Sequence, residues 1–166
     1  VNDVVSIAGI YSGDMGGMTV GASAGVEHIM HLNTTDDLGD DDANRMRASL
    51  SVGTGGLNVG VAYGATDYNT STTAKVDNWT VATAANYTSG AHTIGIEWTT
   101  SESDLTRTTG GDTRDADIYA IGYAMSMGGG VSFDAGIAHL DIADSDTVTT
   151  DDVDATVFGA GIYVGF

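Results

Sequence analysis

Cysteine and proline are both absent from this chain of 166 residues, and basic residues are scarce. Without cysteine there is neither a disulfide framework nor a thiolate metal site. Five Lys and Arg stand against 23 Asp and Glu, giving a formal charge of −18. That balance excludes nucleic-acid binding by counterion release, which needs Lys and Arg, and it excludes a basic membrane-surface binder. Long apolar runs are missing too. No stretch approaches the roughly 20 residues a membrane helix needs, although 42% of the residues are hydrophobic. Val1-Asn2-Asp3 has neither the basic nor the apolar region of a secretory leader, so the sequence reads as a mature chain or a fragment. Its length leaves room for one domain.

What is present favours strands. Glycine occurs 24 times, beside many Thr, Ser, Val and Tyr and little Leu or Lys, a composition suited to pleated sheet. The hydrophobic period is 2. Leu57, Val59, Val61, Tyr63 and Ala65 alternate with Asn58, Gly60, Ala62 and Gly64, and Met46, Ala48, Leu50 and Val52 alternate with Arg45, Arg47, Ser49 and Ser51. Tyr119, Ile121, Tyr123 and Met125 alternate with small or polar neighbours. Successive strand side chains point to opposite faces, so each segment has one greasy face and one polar or small face. Nine such segments are predicted, near 4–12, 19–32, 44–53, 57–68, 77–88, 92–102, 115–127, 131–143 and 153–166. Several run about ten residues or more, beyond the ~5–6 usual in soluble sheets and long enough for the ~9–11 of a tilted membrane-spanning strand.

Tight glycine-rich turns are expected at Gly13-Asp14-Met15-Gly16-Gly17, Gly53-Thr54-Gly55-Gly56, Ser89-Gly90-Ala91 and Gly128-Gly129-Gly130, where glycine supplies positive φ. Longer polar loops are expected at 33–43, 69–76, 103–114 and 144–152. The two kinds alternate, as in outer-membrane barrels with short periplasmic turns and long outer loops. The fold class expected is therefore all-β, a transmembrane antiparallel up-and-down β-barrel occupying the whole of 1–166.

Phe158, Ala160, Ile162, Val164 and Phe166 alternate with Gly159, Gly161, Tyr163 and Gly165 up to the last residue. A terminal ring suits a membrane rim better than a soluble core. The ending Phe158-Gly-Ala-Gly-Ile-Tyr-Val-Gly-Phe166 resembles the terminal β-signal of Gram-negative outer-membrane proteins, with Phe158, Ile162, Val164 and Phe166 as its side chains. Together with Gly128-Gly-Gly-Val-Ser-Phe-Asp-Ala-Gly-Ile137 and the Asp/Thr-rich stretch 141–154, the hairpins resemble the C-terminal half of general porins of the alphaproteobacterial type. The resemblance covers nearly the whole chain. It implies location in the bacterial outer membrane, lipid bilayer and lipopolysaccharide as surroundings, a homotrimer, and passive diffusion of small polar solutes and ions, with no required cofactor. With long loops outside, nine strands start outside and end in the periplasm, so about seven strands of a sixteen-stranded barrel would lie elsewhere. The alternative is a complete eight-stranded barrel with a structural or adhesion role, if 4–12 is not a strand. A narrow barrel is filled by its side chains, and the Gly and Ala of the polar face fill poorly, which favours a wide lumen.

Candidate functional residues follow from the alternation. Arg45 and Arg47 share a face opposite Met46 and Ala48, and on the lipid side their charge would cost ~2–4 kcal/mol at midplane, so both are placed in the lumen. There they would favour anions or hold a polar network; the bland alternative is that Arg45 pairs with the Asp run before it. Glu27, Glu97 and Asp134 are candidate lumenal acids by the same alternation, and porin eyelets oppose basic and acidic side chains. Asp36, Asp37, Asp40, Asp41 and Asp42 offer hard oxygen ligands that suit Ca²⁺, though without EF-hand spacing, and a solvated loop is the competing reading. His28 and His31 fall on opposite faces and cannot share a metal. His139 and Asp141 share a face and could pair, but no nucleophile accompanies them, so an enzyme is not expected. The aromatics, Tyr68 among them, are expected to form two membrane girdles.

Overall fold

A computed structural model describes residues 2–31, 42–71, 74–107, 110–145 and 152–165. They form nine strands: β1 (Asn2–Met15), β2 (Met18–His31), β3 (Ala43–Thr54), β4 (Leu57–Ser71), β5 (Ala74–Ser89), β6 (His92–Arg107), β7 (Gly110–Gly128), β8 (Val131–Asp144) and β9 (Val153–Val164). Each pairs antiparallel with the next in a single sheet ordered β1 to β9. Segment 4–12 is a full strand paired to β2 from Asn2↔His31 to Met15↔Met18. The eight-stranded alternative required otherwise and is overturned. The sheet is open, so β1 and β9 each keep one edge of backbone groups without a partner among the described residues. With nine alternating strands, β1 and β9 run in the same direction.

The glycine turns form as expected. Gly16 and Gly17 have φ of 63° and 87°, Gly55 and Gly56 of 55° and 87°, the doubly positive pair that matches the twist of a two-residue hairpin. Two expected loops do not form. The ladder of β4 and β5 continues to Ser71↔Ala74, and that of β6 and β7 to Arg107↔Gly110, leaving only residues 72–73 and 108–109 between strand ends. The stretches 69–76 and 103–114 are therefore mostly strand. They are polar on both faces because both are wet there, so the period-2 signal fades although the hydrogen-bonded ladder persists. Long connections remain at 32–42 and 145–152. Strict alternation of loop lengths is lost with them.

A single layer has no core. Ala43 is the one buried hydrophobic residue among those described. Ile7 is 73% exposed and Phe158 83%. The register gathers such residues on one face. Ala85, Ile96, Ile121, Ile137 and Phe158 lie directly opposite one another from β5 to β9. Val52–Val59, Leu50–Val61 and Ala48–Tyr63 continue the surface on β3 and β4. An apolar area spread over nine strands exceeds what a soluble monomer leaves uncovered; hydrocarbon satisfies it, provided every backbone group is bonded within the sheet.

The band ends in a row of indoles and acids. Trp79 Nε1 donates to Glu102 Oε1 at 2.9 Å, and Trp98 Nε1 donates to Asp117 Oδ1 at 3.2 Å. Beyond this boundary the same face carries carboxylates directly opposite one another: Asp67, Asp77 and Asp104 across β4 to β6, and Asp117, Asp141 and Asp154 across β7 to β9. Indoles suit that level, apolar in body and polar at one edge.

Candidate functional site: the polar face

The side chains between the apolar ones make up the second face. Strand parity sets its membership. On β3 the odd residues Arg45, Arg47, Ser49 and Ser51 face this way, and on β4 the even residues Asn58, Gly60, Ala62, Gly64, Thr66 and Tyr68. Glu27 opposes Arg45 from β2. Glu97 opposes Ala84 and Ala120, and Asp134 opposes Ala124 and Gly161. All five charged residues expected on one face share it. Val4 and Ile10 on β1 and Ile118, Leu140, Ile142 and Val157 on β7 to β9 also fall here, so the face is polar in the main and not throughout.

Two regions of the face differ. On β2 to β5, Arg45 is held from two sides: Nη1 donates to Glu27 Oε1 at 3.1 Å and Nη2 donates to the Tyr68 hydroxyl at 2.8 Å. The guanidinium carbon also lies 6.0 Å from the Tyr68 ring centroid. Among the described residues the partners of Arg45 are thus across the strands; Asp36, Asp37, Asp40 and Asp41 of the competing reading lie outside them. Tyr68 is not a girdle residue. Its even number places it on the polar face of β4, which parity could have told. Arg47, two residues on, is exposed. It is flanked across the ladder by Gly25 and Gly64. The Ser23 and Ser49 hydroxyls lie 2.8 Å apart beside it.

On β5 to β9 the polar face forms a groove of about 830 Å³ floored by Gly95, Gly122, Gly136 and Gly159, with Glu97 and Asp134 in its lining. Glu97 accepts from Thr99 Oγ1 at 3.1 Å. No Lys or Arg lines this groove. The two acids of this groove thus stand apart from the arginines of β3 on the same face.

His28 points to the apolar face and His31 belongs to the other parity. His139 shares a face with Asp141, yet its Nδ1 lies 3.1 Å from Thr156 Oγ1 and 3.7 Å from Asp154, so the partner is on β9. Cross-strand neighbours stand closer than residues i and i+2 on one strand. Asp42 immediately precedes β3; Asp36, Asp37, Asp40 and Asp41 lie outside the described residues, as does Phe166. No three His, Asp or Glu among the described residues are placed to hold a metal. Phe158, Ile162 and Val164 lie on β9 and face the apolar side, opposite Ile137, Phe133 and Val131.

A sheet of long antiparallel strands, with a continuous apolar band on one face and a polar face of small and charged residues, defines an outer-membrane β-barrel protein. The profile of the Gram-negative porin family matches residues 1–162; the chain belongs to that family, and its place is the bacterial outer membrane. No curated protein sequence matches it. Among solved structures it is similar to OmpT of Vibrio cholerae, an outer membrane protein. The in-vitro folded form gives a TM-score of 0.70 at 15% identity, covering 97% of this chain and 55% of that one. A loop L8 deletion mutant gives 0.69 at 14% identity, with 97% and 53% covered. The chain thus spans about half the length of these neighbours, and the likeness is one of fold.

Proposed function

We propose that the polar face lines a water-filled channel through which small polar solutes and ions diffuse passively, without catalysis. The observation that supports this best is the sorting of side chains by strand parity. One face offers hydrocarbon a continuous band of Val, Ile, Leu and aromatic rings. The other offers Gly, Ala, Ser, Thr and single charges, too small to fill a lumen and polar enough to wet it. Selectivity then follows width and the placement of charge. The family resemblance extends the proposal to a homotrimer surrounded by lipid and lipopolysaccharide, with the acid-rich strand ends on the outer side. Calcium held by the 36–42 acidic run belongs to the same proposal, and added calcium should then raise the unfolding temperature.

Reconstitution of the purified protein in a planar lipid bilayer tests the channel. Stepwise conductance, grouped in threes for a trimer, is the expected result. Insertion without conductance would remove the channel and favour a barrel with a structural or adhesion role.

A further inference from the structure

We propose that Arg47, and not its neighbour Arg45, is the residue that contacts anionic solutes and sets the channel's anion preference. The inference rests on the channel reading above and assigns one side chain within it. Both arginines lie on β3 and share the polar face. Their surroundings differ. The Arg45 charge is already answered by Glu27 at 3.1 Å, with a second guanidinium nitrogen donating to Tyr68. A passing ion meets there a close pair of opposite charges, whose field falls off faster than that of a single charge.

Arg47 has no such partner among the described residues. Its cross-strand neighbours are Gly25 and Gly64, which carry no side chain to bond or cover it. A Cβ added at Gly64 would meet nothing nearer than the Met46 carbonyl oxygen at 4.0 Å, so the space on that side is open. No hydrogen bond or ion pair joins Arg47 to another residue among those described. It lines a groove of about 470 Å³ with Ser23, Ser49, Thr66, Asn78 and Thr80. These are hydroxyl and amide groups able to bond an oxyanion, and the groove has no carboxylate in its lining. In a chain with 23 acids an acid-free groove around an unpaired guanidinium is the place where a small oxyanion, carboxylate or phosphate, meets net positive charge. The guanidinium fork matches such groups in geometry as well as in charge.

The experiment is the zero-current potential of the protein in a planar bilayer under a KCl gradient, with and without inorganic phosphate. Arg47→Gln should lower the chloride-to-potassium permeability ratio severalfold, because a fixed positive charge is lost from the lining. It should also abolish any reduction of chloride current by phosphate. The double substitution Arg45→Gln with Glu27→Gln removes a neutral pair and should leave both readings at wild-type values; Arg47→Lys should keep most of the ratio. If Arg47→Gln does not insert, phenylglyoxal on the wild type replaces it: Arg47 should be modified before Arg45, with the same shift in potential. A conducting wild type whose potential ignores Arg47→Gln, or follows the double substitution as strongly, would overturn this assignment alone. A wild type that never conducts would overturn the channel and the assignment together.

Discussion

Ala120 and Ile121 are neighbours on β7, and the fold places them in different solvents. Ile121 stands between Ile96 and Ile137 in the apolar band; Ala120 stands between Glu97 and Ala138 on the face with the acidic groove. One residue of displacement separates hydrocarbon from water. Substitution tolerance in this protein is therefore governed by strand parity, and depth of burial, the usual guide in soluble domains, has almost nothing to measure where Ala43 is the sole buried hydrophobic among the described residues. A second contrast lies within the polar face, between a guanidinium on β3 and carboxylates on β6 and β8.

The largest expected effect tests the first contrast. Ile121→Arg should destabilise the protein by about 2–4 kcal/mol, the cost of a guanidinium near the bilayer midplane, whereas Ala120→Arg should fold with little loss. Urea unfolding in lipid vesicles would separate them; equal losses would break the distinction. Next comes the hairpin that fixes parity for β3 and β4. Gly56 has φ of 87°, and a Cβ there would meet the Thr88 carbonyl oxygen. Gly56→Ala should cost roughly 1–2 kcal/mol through left-handed strain, measured in the same unfolding assay. The ion pair contributes less. Arg45 and Glu27 are each about one-third exposed, at 34% and 33%, so Arg45→Ala should cost no more than about 1 kcal/mol, as wet pairs do. Glu97→Gln and Asp134→Asn should leave stability unchanged and shift the zero-current potential toward anions, opposite in sign to any loss at Arg47.

The sequence carried the strands and their faces because the hydrocarbon boundary imposes alternation on every segment. It carried the turns because positive φ demands glycine at Gly16, Gly17, Gly55 and Gly56. Where both faces are wet the alternation disappears, and strand ends such as Asp104 to Arg107 read as loop. Cross-strand partners were out of reach. Pairing Arg45 with Glu27 needs the β2–β3 register, which no short turn pins across residues 32–42. Tyr68 was legible by parity alone, since the large apolar residues of β4, Leu57, Val59, Val61 and Tyr63, are all odd. The unpaired state of Arg47 depends on two glycines from neighbouring strands, and no spacing within β3 reports them.

The absence of native cysteine makes the division into a lipid face and a wet face directly measurable. Single cysteines placed from 116 to 124 on β7 would be exposed, in lipid vesicles, to a charged, membrane-impermeant thiol reagent. Labelling is expected at even positions, Ala120 and Gly122 among them, and none at Tyr119, Ile121 or Tyr123. Labelling that ignores parity, or that favours the odd positions, would contradict that division.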